Sequence, residues 1–216
     1  MMKKRLHWLA LVAGLLLMQT MPAMAGYDEG IEYLKISPPV PTENSKKVEV
    51  VEVFWYGCPH CYHFEPKLVN WLKHKPANVE FIRIPAVFPN RPLWELHARA
   101  YYTADLLGVL GKTHEALFDA IHKYHQRLFD EDSLANFYAK YGVDKKLFKE
   151  TMHSFGVQMK VDRAKELCRR YGIDGVPTLV INGKYRTFAS LTNGEDGMLK
   201  VTDFLIDKET KAMQAK

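Results

Sequence analysis

The sequence predicts an α/β fold in which a block of helices interrupts a single sheet. Three observations carry this. Two apolar, β-prone runs, at residues 48–55 and 79–84, flank a helical stretch and therefore read as a parallel pair. From Pro92 to Tyr171 the pattern is helix after helix, with no strand between them. A strand, an Asn182-Gly183 turn and a second strand then form a hairpin, and an amphipathic helix closes the chain.

The first 25 residues stand apart from this fold. Lys3, Lys4 and Arg5 precede an apolar core from Leu9 to Met18, and Ala23-Met24-Ala25 supplies a small-residue cleavage site. Residues 1–25 therefore read as a secretion signal, cleaved after Ala25. The apolar core is short of the roughly 20 residues a membrane span needs, and no Cys follows it where a lipid could attach. Residues 26–216 suffice for one core of ordinary size or for a core with an inserted subdomain. The formal charge of +5 falls to about +2 once the three basic signal residues leave, too little to argue for nucleic acid.

Within the remainder, Ile31–Ile36 reads as a short edge strand and the Pro-rich Ser37–Lys47 as a connector. Val48–Trp55 is a strand. Pro59–His74 is a helix with Tyr62, Leu68, Val69 and Leu72 available for burial, kinked where Pro66 removes a backbone donor. Val79–Ile84 is the next strand. The helical block divides near 92–108, 112–125, 133–141 and 145–171, the last broken around Gly156. Asp132, Ser133 and Asp144 are candidate N-caps, and Gly142 and Gly172 stand where helices should stop. Thr178–Ile181 and Tyr185–Ala189 make the hairpin, and Glu195–Ile206 the last helix. The domain boundaries follow: 26–88 and 165–216 form one sheet domain, and 89–164 an all-helical insertion.

The chemistry concentrates in Cys58-Pro59-His60-Cys61, which places two thiols at the mouth of a helix fed by a strand, a thioredoxin-like arrangement. A cysteine there sits among unpaired backbone N–H groups at the positive end of the helix dipole, which favours its thiolate. Only one further cysteine, Cys168, remains. Zinc would need four ligands, and His122 and His125, one turn apart on a polar helix, read as solvated side chains. Val161, Ala164, Cys168 and Tyr171 keep helical spacing, so Cys168 reads as a small buried hydrophobe. Trp55 and Tyr56 are candidates for the floor of a substrate groove, with a core role equally open for Trp55.

"FWYGCPHCYHFEP" at 54–66, "GVPT" at 175–178 ahead of a strand and an "NGKY" hairpin, and the helices between them resemble the DsbA family of thiol:disulfide oxidoreductases over essentially all of residues 27–206. The resemblance implies a thioredoxin-like sheet with an inserted helical subdomain, and a periplasmic oxidase that donates a Cys58–Cys61 disulfide to reduced secreted client proteins. It needs no dissociable cofactor. A DsbB-like, quinone-linked membrane oxidase would restore the disulfide, and the protein would act as a monomer. Cys58 is then the exposed nucleophile and Cys61 the shielded resolving thiol. Pro59 suits the first helical turn, where its missing donor costs nothing, and His60 favours the Cys58 thiolate by its charge. Stabilising the reduced form makes the disulfide a strong oxidant. In the same likeness Val176-Pro177 is a cis bond beside the disulfide that presents backbone groups to an extended peptide. Glu52 is a buried acid under the site, with Arg83 as its basic partner where the family's best-known member carries Lys. Arg cannot release a proton as Lys can. Two other functions stay open: a disulfide isomerase or reductase, and a secreted peptide-binding chaperone module. Isomerases of this compartment usually append a dimerisation domain, for which residues 26–47 are too short.

Overall fold

The computed structural model describes residues 26–215; the secretion signal expected at residues 1–25 lies outside them. Five strands form one sheet in the order β1-β5-β4-β2-β3, with β1 at Leu34–Lys35, β2 at Val48–Phe54, β3 at Val79–Pro85, β4 at Thr178–Ile181 and β5 at Tyr185–Thr187. Helix α1 (Pro59–His74) crosses from β2 to its parallel neighbour β3. The block inserted after β3 contains α2 (Pro92–Leu106), α3 (Leu110–His122), α4 (Glu131–Ala139), α5 (Lys145–Met152) and α6 (Phe155–Arg170). β4 then returns antiparallel to β2, β5 pairs with β4, and α7 (Glu195–Gln214) ends the chain.

β2 is the centre of the sheet, and all seven of its residues are buried. Alternation along the strand divides them between two faces. Val48 and Val50 pack with Phe64, Leu68, Met198 and Val201 of α1 and α7, whereas Val51 and Val53 meet Val157, Val161, Ala164 and Cys168 of α6. Glu52 falls on the α1 side. A third core lies within the helical block and includes both Cys58 and Cys61, so the thiols sit where sheet domain and insertion meet.

Several boundaries differ from the sequence expectation, each for a local reason. The first strand keeps only two paired residues, both against β5. α4 starts two residues earlier than expected because Asp130 is its N-cap: Asp130 accepts from the Ser133 backbone N–H while the Ser133 hydroxyl faces back, a capping box that makes Ser133 the N3 residue. The long helix breaks ahead of Gly156, where the Ser154 hydroxyl caps α6 by accepting from Val157 N–H. α1 remains one helix through Pro66. Gly142 and Gly172 do end their helices, at φ +85° and +66°, which favour glycine.

Candidate active site

Cys58 is the N-cap of α1. Its backbone is extended, its Sγ accepts from the Cys61 backbone N–H at 3.4 Å, and Pro59 occupies the first turn without wasting a donor. The loop before β4 closes over it: Val176-Pro177 is cis, and the Cys58 thiol points at the Val176 carbonyl oxygen, 3.4 Å away. Cys58 is consequently only 7% exposed, less open than the sequence suggests, and Cys61, one turn deeper, has no exposure. Both are free thiols here. Beside them a cleft of about 380 Å³ is lined by His60, Gly175, Val176, Pro177, Phe188 and Glu195.

The two thiols are driven apart in acidity. The hydrogen bond from the Cys61 thiol does most to lower Cys58, to about 6, against the cost of burial; backbone N–H groups of Cys61 and His60 add to it, and the charge of the exposed His60 ring adds least. The sequence points to the helix-terminal N–H groups, the dipole and His60, and not to the Cys61 thiol that outweighs them. Cys61 moves the other way, well above the ordinary thiol range, because burial and the neighbouring Cys58 sulfur both oppose a second thiolate.

Under the thiols lies a charged cluster. The parallel register sets Glu52 on β2 directly opposite Arg83 on β3. Arg83 Nε donates to Glu52 Oε2 at 2.9 Å, and its Nη2 donates to Glu65 Oε1 at 2.7 Å. Glu52 is 1% exposed, and its Oε1 has no hydrogen-bond partner. Burial pushes its carboxyl up to about 8, although Arg83 pulls down. Glu65 goes the opposite way: burial would raise it, but His114 and Arg83 outweigh burial and lower it.

Glu65 and His114 were given no role from the sequence. Glu65 carried a signal, since it follows Cys61 by four residues and so shares its helix face. His114 carried none. His122, read as solvated, donates from Nε2 to the Tyr56 carbonyl at 2.8 Å and stacks on Tyr62 with ring centroids 5.0 Å apart. Tyr56 is fully buried and floors no groove, while Trp55 stacks on Trp94 at 4.3 Å. Cys168 is 2% exposed, and burial pushes its thiol up to about 11. Among the described residues no three His, Cys, Asp or Glu side chains converge as a metal site requires, and no helix is long and apolar enough to cross a membrane.

A thiolate-prone sulfur over a buried thiol and a buried acid can exchange disulfides. The chain matches the family described as DSBA-like thioredoxin domain over residues 80–205, a stretch that begins past the cysteine pair. It is 45% identical to the thiol:disulfide interchange protein DsbA of Pseudomonas aeruginosa, over 86% of this chain and 87% of that protein. With the protein of the same name from Burkholderia cepacia it shares 42% identity, over 95% of this chain and 96% of the relative. The crystal structure of Pseudomonas aeruginosa DsbA is similar at a TM-score of 0.81, with 44% identity, covering 87% of this chain and 97% of that one. The oxidoreductase DsbA from Xylella fastidiosa is similar at a TM-score of 0.80, with 35% identity, covering 86% and 98%.

Proposed function

The chain belongs to the DsbA family of thiol:disulfide oxidoreductases, and from that premise we propose how its residues carry out disulfide formation. A client thiolate attacks Cys58 of the Cys58–Cys61 disulfide, the S–S bond breaks, and Cys61 leaves and takes a proton. The client's second thiolate then attacks its own sulfur in the mixed disulfide and expels Cys58 as a thiolate. The client has lost two electrons and gained a disulfide; the enzyme holds one thiolate and one thiol. The buried Glu52, neutral below about pH 8, is the carboxyl whose charge bears on Cys61 and is the acid assigned to this proton transfer, and Arg83 orients it without exchanging a proton. The Val176-Pro177 loop and its cleft would receive the client's extended chain.

The single observation that carries this reading is the contrast between Cys58, lowered to about 6, and Cys61, raised by burial, since it makes the reduced state favourable and the disulfide oxidising. The same proposal divides the chain into sheet domain 26–88 and 165–216 with insertion 89–164. It also holds that the protein works in the periplasm as a monomer after cleavage behind Ala25, with a DsbB-like membrane oxidase restoring the disulfide. Equilibration with glutathione, followed by tryptophan fluorescence, tests the reading. The Cys58–Cys61 pair should stay reduced at glutathione ratios that leave ordinary protein disulfides oxidised. A pair that stays oxidised there would identify a reductase instead.

A further inference from the structure

His114 lies inside the molecule on α3, 8% exposed, and no step above uses it. Its Nδ1 is 2.8 Å from the Tyr56 hydroxyl, and its Nε2 is 3.7 Å from Glu65 Oε1 with no hydrogen-bond partner of its own. The phenol can donate and the carboxylate can only accept, so the hydrogen-bond network assigns the neutral ring its proton on Nε2. Tyr56 stands two residues before Cys58, and Glu65 four residues after Cys61. One side chain of the helical insertion thus touches both flanks of the redox motif.

The groups facing this ring are few. They are Glu65 on α1, Arg83 on β3, Tyr56 ahead of α1, Tyr101 on α2 and Glu115 on its own helix, with Phe54 and Phe118 edge-on at 5.2 and 5.3 Å. Arg83 brings one positive charge to two buried carboxylates, and a buried cluster is least costly when its net charge is zero. Burial keeps the His114 ring neutral, so one carboxylate must stay protonated. Each carboxylate keeps one oxygen without a partner, Glu52 Oε1 and Glu65 Oε2, but only Glu65 also has the Nε2–H of His114 beside its Arg83-bound oxygen. That favours Glu65 as the anion and Glu52 as the neutral acid. Glu52 is also the carboxylate whose charge bears on Cys61.

We propose that His114 is a positioning residue of the redox centre: by supporting Glu65 as the anion it commits Arg83 there, keeps Glu52 neutral, and spares the sulfurs a nearby negative charge. This rests on the oxidase reading but is tested apart from it. The rate of iodoacetamide alkylation of Cys58 in the reduced protein, followed against pH, reports the thiolate directly, while loss of disulfide donation by the wild type would sink only the oxidase reading. His114→Leu should move the alkylation midpoint upward by about half a pH unit, roughly a threefold change in the thiolate ratio, because Glu65 then gives up its charge and Glu52 takes it. His114→Gln, whose carboxamide N–H reaches the place of Nε2, should move it back. Glu65→Gln, nearly isosteric, should shift it upward like His114→Leu and serves if that variant does not fold. A wild-type midpoint in either shifting variant, or a His114→Leu shift that His114→Gln leaves in place, would overturn the assignment.

Discussion

Cys58 and Cys61 are three residues apart on one helix, yet one is lowered to about 6 and the other raised well above the ordinary thiol. Their replacement should therefore have unlike results. Cys58→Ser should abolish both client oxidation and mixed-disulfide formation, while Cys61→Ser should accumulate the mixed disulfide under oxidising conditions because the resolving thiol is gone. Non-reducing electrophoresis with a thiol-bearing client reads this, and a Cys61→Ser protein that forms no covalent complex would reverse the assignment. Glu52 gives a pH signature. Its carboxyl is raised from 4.5 to about 8, so it is neutral at pH 7 and ionises as the pH rises through 8. The exchange rate of the wild type should change across that range, and Glu52→Gln, fixed in the neutral form, should lack the step. The sign for stability follows: between 4.5 and 8 the unfolded carboxyl is ionised and must take up a proton to fold, so stability falls across that window and Glu52→Gln should gain thermal stability relative to the wild type as the pH rises through it. Glu52 and Arg83 were legible as a pair through the family resemblance, since an acid in an apolar strand can equally face solvent at an edge until its neighbours are known. His114 was not, since nothing in a helical stretch marks which histidine turns inward.

At the scale of elements, the hairpin between β4 and β5 depends on its backbone, although Asn182 and Lys184 also bind Glu209 of α7 through their side chains. Asn182 and Gly183 have φ of +53° and +62°, and Gly183 accepts from Val40 N–H at 2.9 Å. A Cβ on Gly183 would lie 1.9 Å from the Val40 carbonyl oxygen. Gly183→Ala should therefore cost about 2 kcal/mol or more, combining left-handed backbone strain with overpacking, and a urea midpoint no lower than wild type would refute it. This turn was plain in the sequence because Asn-Gly has one dominant use. So were β2, β3 and α1, whose apolar periods change sharply at Gly57 and Lys75. The caps were harder: Asp130, Asp132 and Ser133 all bear capping side chains within four residues, and only the geometry shows Asp130 accepting from Ser133 N–H. The two-residue β1 depends on β5 arriving from far along the chain, which no local pattern announces.

For the molecule as a whole, oxidation and protonation compete to set stability. Closing the short Cys58–Cys61 loop is worth roughly 2 kcal/mol by loop entropy. The thiolate works for the reduced form: its folded pKa is depressed from 9.0 to about 6, so the stabilisation is full above pH 9 and lost as the pH falls through 6. That amounts to about 0.4 kcal/mol at pH 6 and about 2.7 kcal/mol at pH 8, before solvent screening trims it. The oxidised protein should melt higher at pH 6 and the reduced protein higher above pH 8, with the curves crossing between. An oxidised form that melts higher throughout would remove the oxidising poise. The contact of Cys58 with the Val176 carbonyl spans 118 residues of chain, and β2 pairs with β4 across a similar gap. A chain emerging from its N-terminus presents its thiols long before the strand and loop that cover them exist. Non-local pairing of this kind is slow to form, so the thiols pass an interval without the loop that covers them. The covered site with its client-receiving loop is therefore completed only when the final fifth of the chain docks.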